Sequence, residues 1–320
     1  MEAINILILQ KDLMTMRKQQ KMKKAILGLL LLLSGFGLVK ATAQQSQNSL
    51  LWEISGNGLK EPSYLFGTYH LLSASFLDEK PAVKAVFKKS KGVVVEMVLD
   101  SSKLMQVASL SIMPGKKISD LISQEDFQLV SAALESATGI KLQLLDQFKP
   151  MAVNVMLIGA YAQSESGHIL SKYTGLPLDA HFAQAAKQEK RQVTALETME
   201  EQIKLLYDFM PYEEQAKELV NFVKQKEQML KSQNDLLEAY MAEDFSGMVK
   251  QFEDYAEIGN SMGAHMLDDR NMRWMDSIPG LMQGGSQFIA VGALHLVGEK
   301  GLITLLKQAG YQVKPISTRL

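Results

Sequence analysis

Apolar and polar positions alternate through SLLWEIS (49–55), and a Gly-Asn-Gly turn separates that run from SYLFGTYHLL (63–72). Two short runs around such a turn predict a β-hairpin. Residues 77–90 space their apolar positions at helical intervals around Val83, Val86 and Phe87, with Pro81 near the start, and predict a helix. GVVVEMVL (92–99) is a continuous β-branched run, which predicts a strand buried on both faces. Helices are predicted over about 123–136, 148–163 and 179–189, followed by a strand over 192–198. Thr198-Met-Glu-Glu201 is a capping-box pattern. It opens a charged, Met- and Leu-rich stretch over about 200–257, interrupted by Pro211 and Gly247, which reads as a helical insertion or cap. A further helix is predicted over 268–278, ended by Pro279-Gly280. The chain then runs strand and turn (286–298), amphipathic helix (301–310) and strand (311–316), the layout of a βαβ crossover.

The same layout occurs near the start, where YLFGTYHLL leads through a helix to GVVVEM. Both copies carry G-x-x-H-L at the end of the first strand, as Gly67-Thr68-Tyr69-His70-Leu71 and Gly292-Ala293-Leu294-His295-Leu296. The expected fold is therefore α/β: a mixed central sheet with duplicated strand–GxxH–helix–strand units and a helical insertion between them.

Composition adds a targeting segment. The chain has 320 residues, 34 basic and 35 acidic, for a formal net charge of −1. That is too neutral for a generic nucleic-acid binder, which needs excess Lys and Arg against phosphates. The charge is uneven. Residues 1–43 hold seven basic and two acidic side chains, with RKQQKMKK ahead of the uncharged AILGLLLLLSGFGLV and then Ala41-Thr42-Ala43. This is the layout of a secretory signal peptide, and the apolar run is shorter than a spanning helix needs. An uncleaved membrane anchor is the alternative. Residues 44–320 then form the mature domain with a net charge of −6. They are expected in the periplasm or outside the cell, touching a membrane only through an uncleaved leader. There is no cysteine, so disulfides and thiolate ligands are excluded and a metal would have to be held by His and carboxylates.

Candidate chemistry gathers on the rim turns. In open α/β sheets ligands collect beyond the carboxyl ends of the strands. Two matched units there would bring His70 and His295, two of only five histidines, towards one cleft; the plainer reading is that each caps its own turn. Glu96 sits in a strand too apolar for a stray charge and faces either the cleft or a solvated edge. Glu197 ends the strand over 192–198 and also suits the cap of the next helix. Asp179, after GLPL, suits equally a carboxylate of the cleft or a helix N-cap. Arg270 and Asn271 lie beside Asp268 and Asp269, where Arg270 suits either a clamp on a carboxylate or a surface ion pair. His168 reads as a loop residue that rims the cleft or faces solvent, and His181 as a surface residue; a supplementary ligand is the lesser of the readings open to His265.

With LLWEISGNG, SYLFGTYHLL, VVVEM, GLPLDAHFAQAAKQEKRQVTALETMEEQ, DRNMRWMDSI and FIAVGALHLVGEKGLITLLKQAGYQVKPI, the chain resembles the TraB/GumN family over roughly residues 50–316. The Tiki proteins are its animal relatives. The resemblance implies an α/β fold related to erythromycin esterase and ChaN-like proteins, and a protease-like activity on peptides. Carried over by position, it implies His70, Glu96, Arg270, Asn271 and His295 as the catalytic or metal-binding set. Three readings follow. In the first, a divalent ion (Mn, Co or Zn) is held by His70, Glu96 and His295, with Arg270 and Asn271 stabilising an oxyanion during cleavage of a peptide or protein substrate. In the second, His70 acts as general base without a metal, in an esterase-like hydrolase. In the third, the cleft binds peptide or haem without turnover.

Overall fold

The computed structural model describes residues 48–165, 167–257 and 263–319. The expected leader over residues 1–43 lies outside the described residues, as do the side chains of His168 and His265. Six strands form one sheet: β1 (Leu51–Ser55), β2 (Ser63–Thr68), β3 (Gly92–Val95), β4 (Gln192–Ala195), β5 (Gln287–Gly292) and β6 (Gln312–Ile316), in the order β4-β3-β5-β2-β1-β6. The helices are α1 (Pro81–Lys89), α2 (Leu104–Leu110), α3 (Gln124–Thr138), α4 (Pro150–Glu165), α5 (Gly167–Leu170), α6 (Leu178–Gln188), α7 (Met199–Tyr207), α8 (Tyr212–Lys224), α9 (Lys226–Met241), α10 (Phe245–Glu257), α11 (Gly263–Trp274), α12 (Ile278–Gln283) and α13 (Leu302–Gln308). The mixed α/β class expected from the pattern is the class observed. No helix among the described residues is long and apolar enough to cross a membrane.

The hairpin forms because Gly56, Asn57 and Gly58 all adopt positive φ, which glycine accepts without cost and Asn tolerates. β1 and β2 then pair antiparallel. β2, β5, β3 and β4 run parallel, with β5 between β2 and β3. The two G-x-x-H strands are therefore direct neighbours at the centre of the sheet, although they come from opposite ends of the chain. β1 occupies the place beside β2, so β6 lies one strand further out, antiparallel to β1. There Pro315 is tolerated, because an edge strand can forgo a ladder donor.

β2, β3 and β5 are almost wholly buried. α1 and α6 cover one face of the sheet, where Phe87 and Phe182 interlock with Phe66 and Phe288. A second apolar core, built from Phe127, Val130 and Leu134 of α3, Val153, Leu157 and Tyr161 of α4, and Leu219 and Phe222 of α8, gives a helical layer its own interior. α3 is fixed at both ends: Ser123 accepts from the Asp126 amide, and Gly139 closes the helix at φ 74°. α7 opens on the expected capping box of Thr198 and Glu201.

Three local expectations change. β3 stops at Val95 rather than continuing to 99, which leaves Glu96 just past the strand end. Gly247 lies inside α10, and the break falls instead near Glu243, which takes φ 57°. Pro279 starts α12 rather than closing the preceding helix, its missing amide being harmless in a first turn.

Candidate active site

The carboxyl ends of β2, β3 and β5 meet at one rim, and the side chains that follow them converge. Glu96, one residue past β3, is 5 % exposed. Its Oε1 accepts from the Gly292 amide at 2.7 Å and its Oε2 from Arg270 Nη2 at 2.6 Å. Of its two sequence readings, cleft or solvated edge, the structure selects the cleft. His70 follows β2 and His295 follows β5 in a short 3-10 turn (Ala293–Leu296). A Cβ placed on Gly292 would stand 3.3 Å from Glu96 Oε1, 3.5 Å from His70 Nε2 and 3.6 Å from His295 Cδ2. Three potential ligands therefore surround one glycine, whose missing side chain leaves the space between them open.

Each imidazole is held from behind. His70 Nδ1 lies 2.8 Å from Asp179 Oδ2, and Asp179 Oδ1 accepts from the Thr68 hydroxyl at 2.7 Å. His295 Nδ1 lies 2.7 Å from Asn271 Oδ1. Asn271 is itself fixed, donating through Nδ2 to the carbonyls of His295 at 3.1 Å and Lys300 at 2.9 Å. Asp179 is the second residue of α6 and is not its N-cap, which is Pro177. Its carboxylate ties α6 to the end of β2 instead.

Arg270 occupies the centre. Its Nε donates to both oxygens of Glu197 at 3.0 Å, its Nη2 to Glu197 and Glu96, and its Nη1 approaches His295 Nε2 at 3.0 Å. The guanidinium is 5 % exposed and lies over the Trp274 ring at 4.7 Å, and Trp274 in turn packs on His295 at 4.4 Å. This is a buried ion-pair network. Arg273 adds a second cation to Glu197 at 3.2 Å.

The electrostatics separate the two histidines. Burial, opposed by Glu96 and reinforced by Arg270 and His70, pushes the His295 imidazole down to about 3, so it is neutral at physiological pH. Burial works against the charged form of Glu96, but His295, His70, Arg270 and the Gly292 amide outweigh it and hold the carboxyl at about 2. His70 opens onto the cleft with 64 % of its side chain exposed. The cleft walls still disfavour its cation, yet the charge and hydrogen bond of Asp179, helped by Glu96 and opposed by Arg270, raise it to about 9.

All five residues singled out from sequence, His70, Glu96, Arg270, Asn271 and His295, thus belong to one contiguous cluster. Glu197 joins it through Arg270. His181 sits on α6 edge-on to Phe182 and away from the cluster's hydrogen bonds. Sequence reasoning did not find Trp274, nor Gln202, whose Nε2 lies 3.4 Å from Glu96 Oε2. The aromatic residue four positions after Arg270 on one helix was the available signal for Trp274.

The donor set suits a borderline divalent cation: two imidazole Nε2 atoms and a carboxylate, with Asp179 and Asn271 as the outer partners that orient ligating histidines. As they stand, however, no three or more His, Asp or Glu side chains among the described residues are arranged to hold a metal ion. Arg270 Nη1 takes the lone pair of His295 Nε2, and cation binding requires that contact to open.

A family model described as the TraB/PrgY/gumN family matches residues 50–315. Among curated proteins the chain is 24% identical to Metalloprotease TIKI1 of Danio rerio over 85% of this chain and 64% of the relative. It is 24% identical to a Metalloprotease TIKI homolog of Amphimedon queenslandica over 92% and 66%. It is 22% identical to Metalloprotease TIKI2 of Danio rerio over 86% and 62%. The chain therefore spans a little under two thirds of the length of these relatives. No solved structure matches it.

Proposed function

The chain belongs to the TraB/PrgY/gumN family, and on that footing we propose that it is an exported, metal-dependent hydrolase that cleaves peptide bonds at the His70–Glu96–His295 cluster. One observation carries the reading. Both imidazoles have their Nδ1 engaged, by Asp179 and by Asn271, so that each turns its Nε2 side towards the space that Glu96 Oε1 also borders, His295 Nε2 at 3.8 Å from that oxygen. A cation would have to displace the His70 proton and the Arg270 contact to reach them. The names of the relatives, all metalloproteases, support the same class. The basic, apolar and A-x-A segments of residues 1–43 support export.

His70, His295 and Glu96 would hold the cation. Bound there, it would lower the pKa of a water and polarise the scissile carbonyl. The chain's own residues do the rest. Neutral His295 presents a lone pair at Nε2, because its Nδ1 proton is committed to Asn271. Ionised Glu96 supplies negative charge inside a low-dielectric cleft, and the Gly292 amide fixes its Oε1. Arg270 has all its N–H groups engaged, by Glu197, Glu96, the Met266 carbonyl and His295, so it would meet negative charge developing on the carbonyl oxygen only through the Nη1–H released when its contact with His295 opens. Asn271 is 1 % exposed and all its polar atoms are engaged, so it orients His295 rather than contacting an oxyanion.

The test is chelation. The full chain, incubated with quenched fluorescent peptides, should lose turnover in EDTA and regain it with Mn²⁺, Co²⁺ or Zn²⁺, and His295→Ala should abolish it. A second reading has its own support in the 2.8 Å His70–Asp179 contact, an acid-oriented imidazole that accepts a proton from water in its neutral form, so that such activity should rise with pH towards about 9. Activity that survives EDTA and is not raised by any of the three ions would favour that metal-free hydrolase.

A further inference from the structure

Beside the polar cluster lies a cavity of about 410 Å³. His70, Arg270, Gly292 and His295 form one side of it. Its other walls are apolar: Tyr69 and Leu71 follow β2, Leu236 and Tyr240 come from α9, Phe252 from α10 and Met266 from α11. Tyr240 brings no free polar atom to this wall, because its hydroxyl donates to the Gly67 carbonyl at 2.9 Å. A smaller cavity of about 320 Å³ approaches from the Glu96, Asp179 and Gln202 side, and shares His70, Arg270, Leu206 and Met266 with the first. The reacting groups thus stand at the junction of an apolar chamber and a more polar one.

A chamber of this size and lining wets poorly and is suited to an apolar occupant. Its opening onto His70 and Arg270 fixes where that occupant is attached: to an atom next to the bond being broken.

We propose that the cavity is the side-chain subsite of this hydrolase, and that it selects peptides carrying a large apolar residue, aromatic or long aliphatic, beside the scissile bond. The proposal deepens the hydrolase reading and rests on it for the position of the scissile bond. The helical layer then has a direct role, because α9, α10 and α11 build the walls that read the substrate.

The experiment walks one Phe, or Ala in its place, through an otherwise polar quenched peptide and measures kcat/KM with the metal-loaded full chain. At one position Phe should exceed Ala by about tenfold or more, the scale expected for burying such a side chain. Leu236→Trp and Ile158→Phe, which fill the cavity from α9 and α4, should each bring kcat/KM for the Phe peptide down to that for the Ala peptide. A turnover-free arm measures binding of the same peptides to the His70→Ala/His295→Ala double variant by fluorescence polarisation. There the Phe peptide should bind tighter than the Ala peptide, and adding Leu236→Trp should equalise them. Cleavage without a Phe preference overturns the subsite and leaves the hydrolase reading standing. Phe-selective binding that Leu236→Trp abolishes, with no cleavage by the unmodified chain, overturns the hydrolase reading and leaves the apolar site. Preference for long-chain acyl esters over every Phe peptide overturns the assignment to a peptide side chain.

Discussion

The amide of Gly292 donates to Glu96 Oε1 at 2.7 Å, so the glycine of the second G-x-x-H motif holds the carboxylate that stands between the two histidines. Gly292 itself has φ −52° and ψ 137°, which any residue adopts. Its small size is therefore a demand of the site and not of the backbone.

Gly292→Ala tests this. The added methyl would meet Glu96, His70 and His295 atoms at 3.3–3.6 Å, in the middle of the ligand space. The variant is expected to fold with a Tm close to that of the unmodified chain and to lose peptide cleavage and metal affinity by about tenfold or more. Gly67→Ala should behave in the opposite way. Its methyl would lie 2.9 Å from the Ala293 Cα, a backbone atom that cannot step aside. Overpacking of that kind costs about 1–3 kcal/mol. Urea denaturation should show the loss in Gly67→Ala and little change in Gly292→Ala.

Arg270→Ala should be among the most destabilising single changes in the site. It strands Glu96 and Glu197, both nine-tenths buried or more, although Glu197 keeps Arg273. Removing one partner of a buried ion pair costs about 3–5 kcal/mol. Arg270→Lys restores the charge but cannot reach both carboxylates and His295 through one nitrogen, so it should recover part of the stability and little of the activity. A urea midpoint for Arg270→Ala within error of the unmodified chain would show that the network adds nothing to the fold.

How much of this was legible beforehand depends on range. The hairpin was readable because its turn is local, and so was the Thr198–Glu201 capping box. The two strand–GxxH–helix–strand units were readable as repeats. That β2 and β5 lie side by side was not, since parallel pairing between chain ends leaves no local mark. Glu96 shows the limit at a single residue. The run GVVVEMVL reads as one strand, but the strand pairing with β4 and β5 ends at Val95 and turns an apparently interior charge into a rim side chain. Asp179 suits a cap as well as the cleft from sequence alone, because it opens a helix. Only the tertiary fold reveals that its partners are Thr68 and His70.

The His70–Asp179 pair should be visible in a titration. In the metal-free chain the His70 Cε1 proton is expected to titrate near 9 by NMR, and Asp179→Asn should bring it down towards the ordinary 6.5. The sign follows from the direction of the shift. A histidine raised on folding adds stability that is fully present below its unfolded value and is lost as pH rises through the folded one. The difference in urea midpoint between the unmodified chain and Asp179→Asn should therefore be largest near about pH 6 and shrink above about pH 9. A His70 resonance that titrates at the same pH in both proteins would remove Asp179 from its supporting role.

Asn271 sets the tautomer of His295. Its Nδ2 faces two carbonyl oxygens, of His295 and Lys300, so the amide cannot be flipped without setting oxygen against oxygen. Oδ1 is then an acceptor, His295 Nδ1 must carry the proton, and Nε2 is left with the lone pair. Asn271→Leu removes the tautomer lock and both donors. Each buried carbonyl left unpaired costs about 1–3 kcal/mol, and the loosened ligand should lower metal affinity by about 10–100-fold. Asn271→Asp keeps an acceptor for Nδ1 but places negative charge against the same two carbonyls, so it should be less stable than the unmodified chain and still hold the Nδ1–H tautomer. Nitrogen-15 NMR of the His295 ring separates the cases: a single Nδ1–H form in the unmodified chain and in Asn271→Asp, and a tautomer mixture in Asn271→Leu. A single Nδ1–H form in all three would show that the lock resides elsewhere, and the expected loss of metal affinity in Asn271→Leu would then have no cause in the ring.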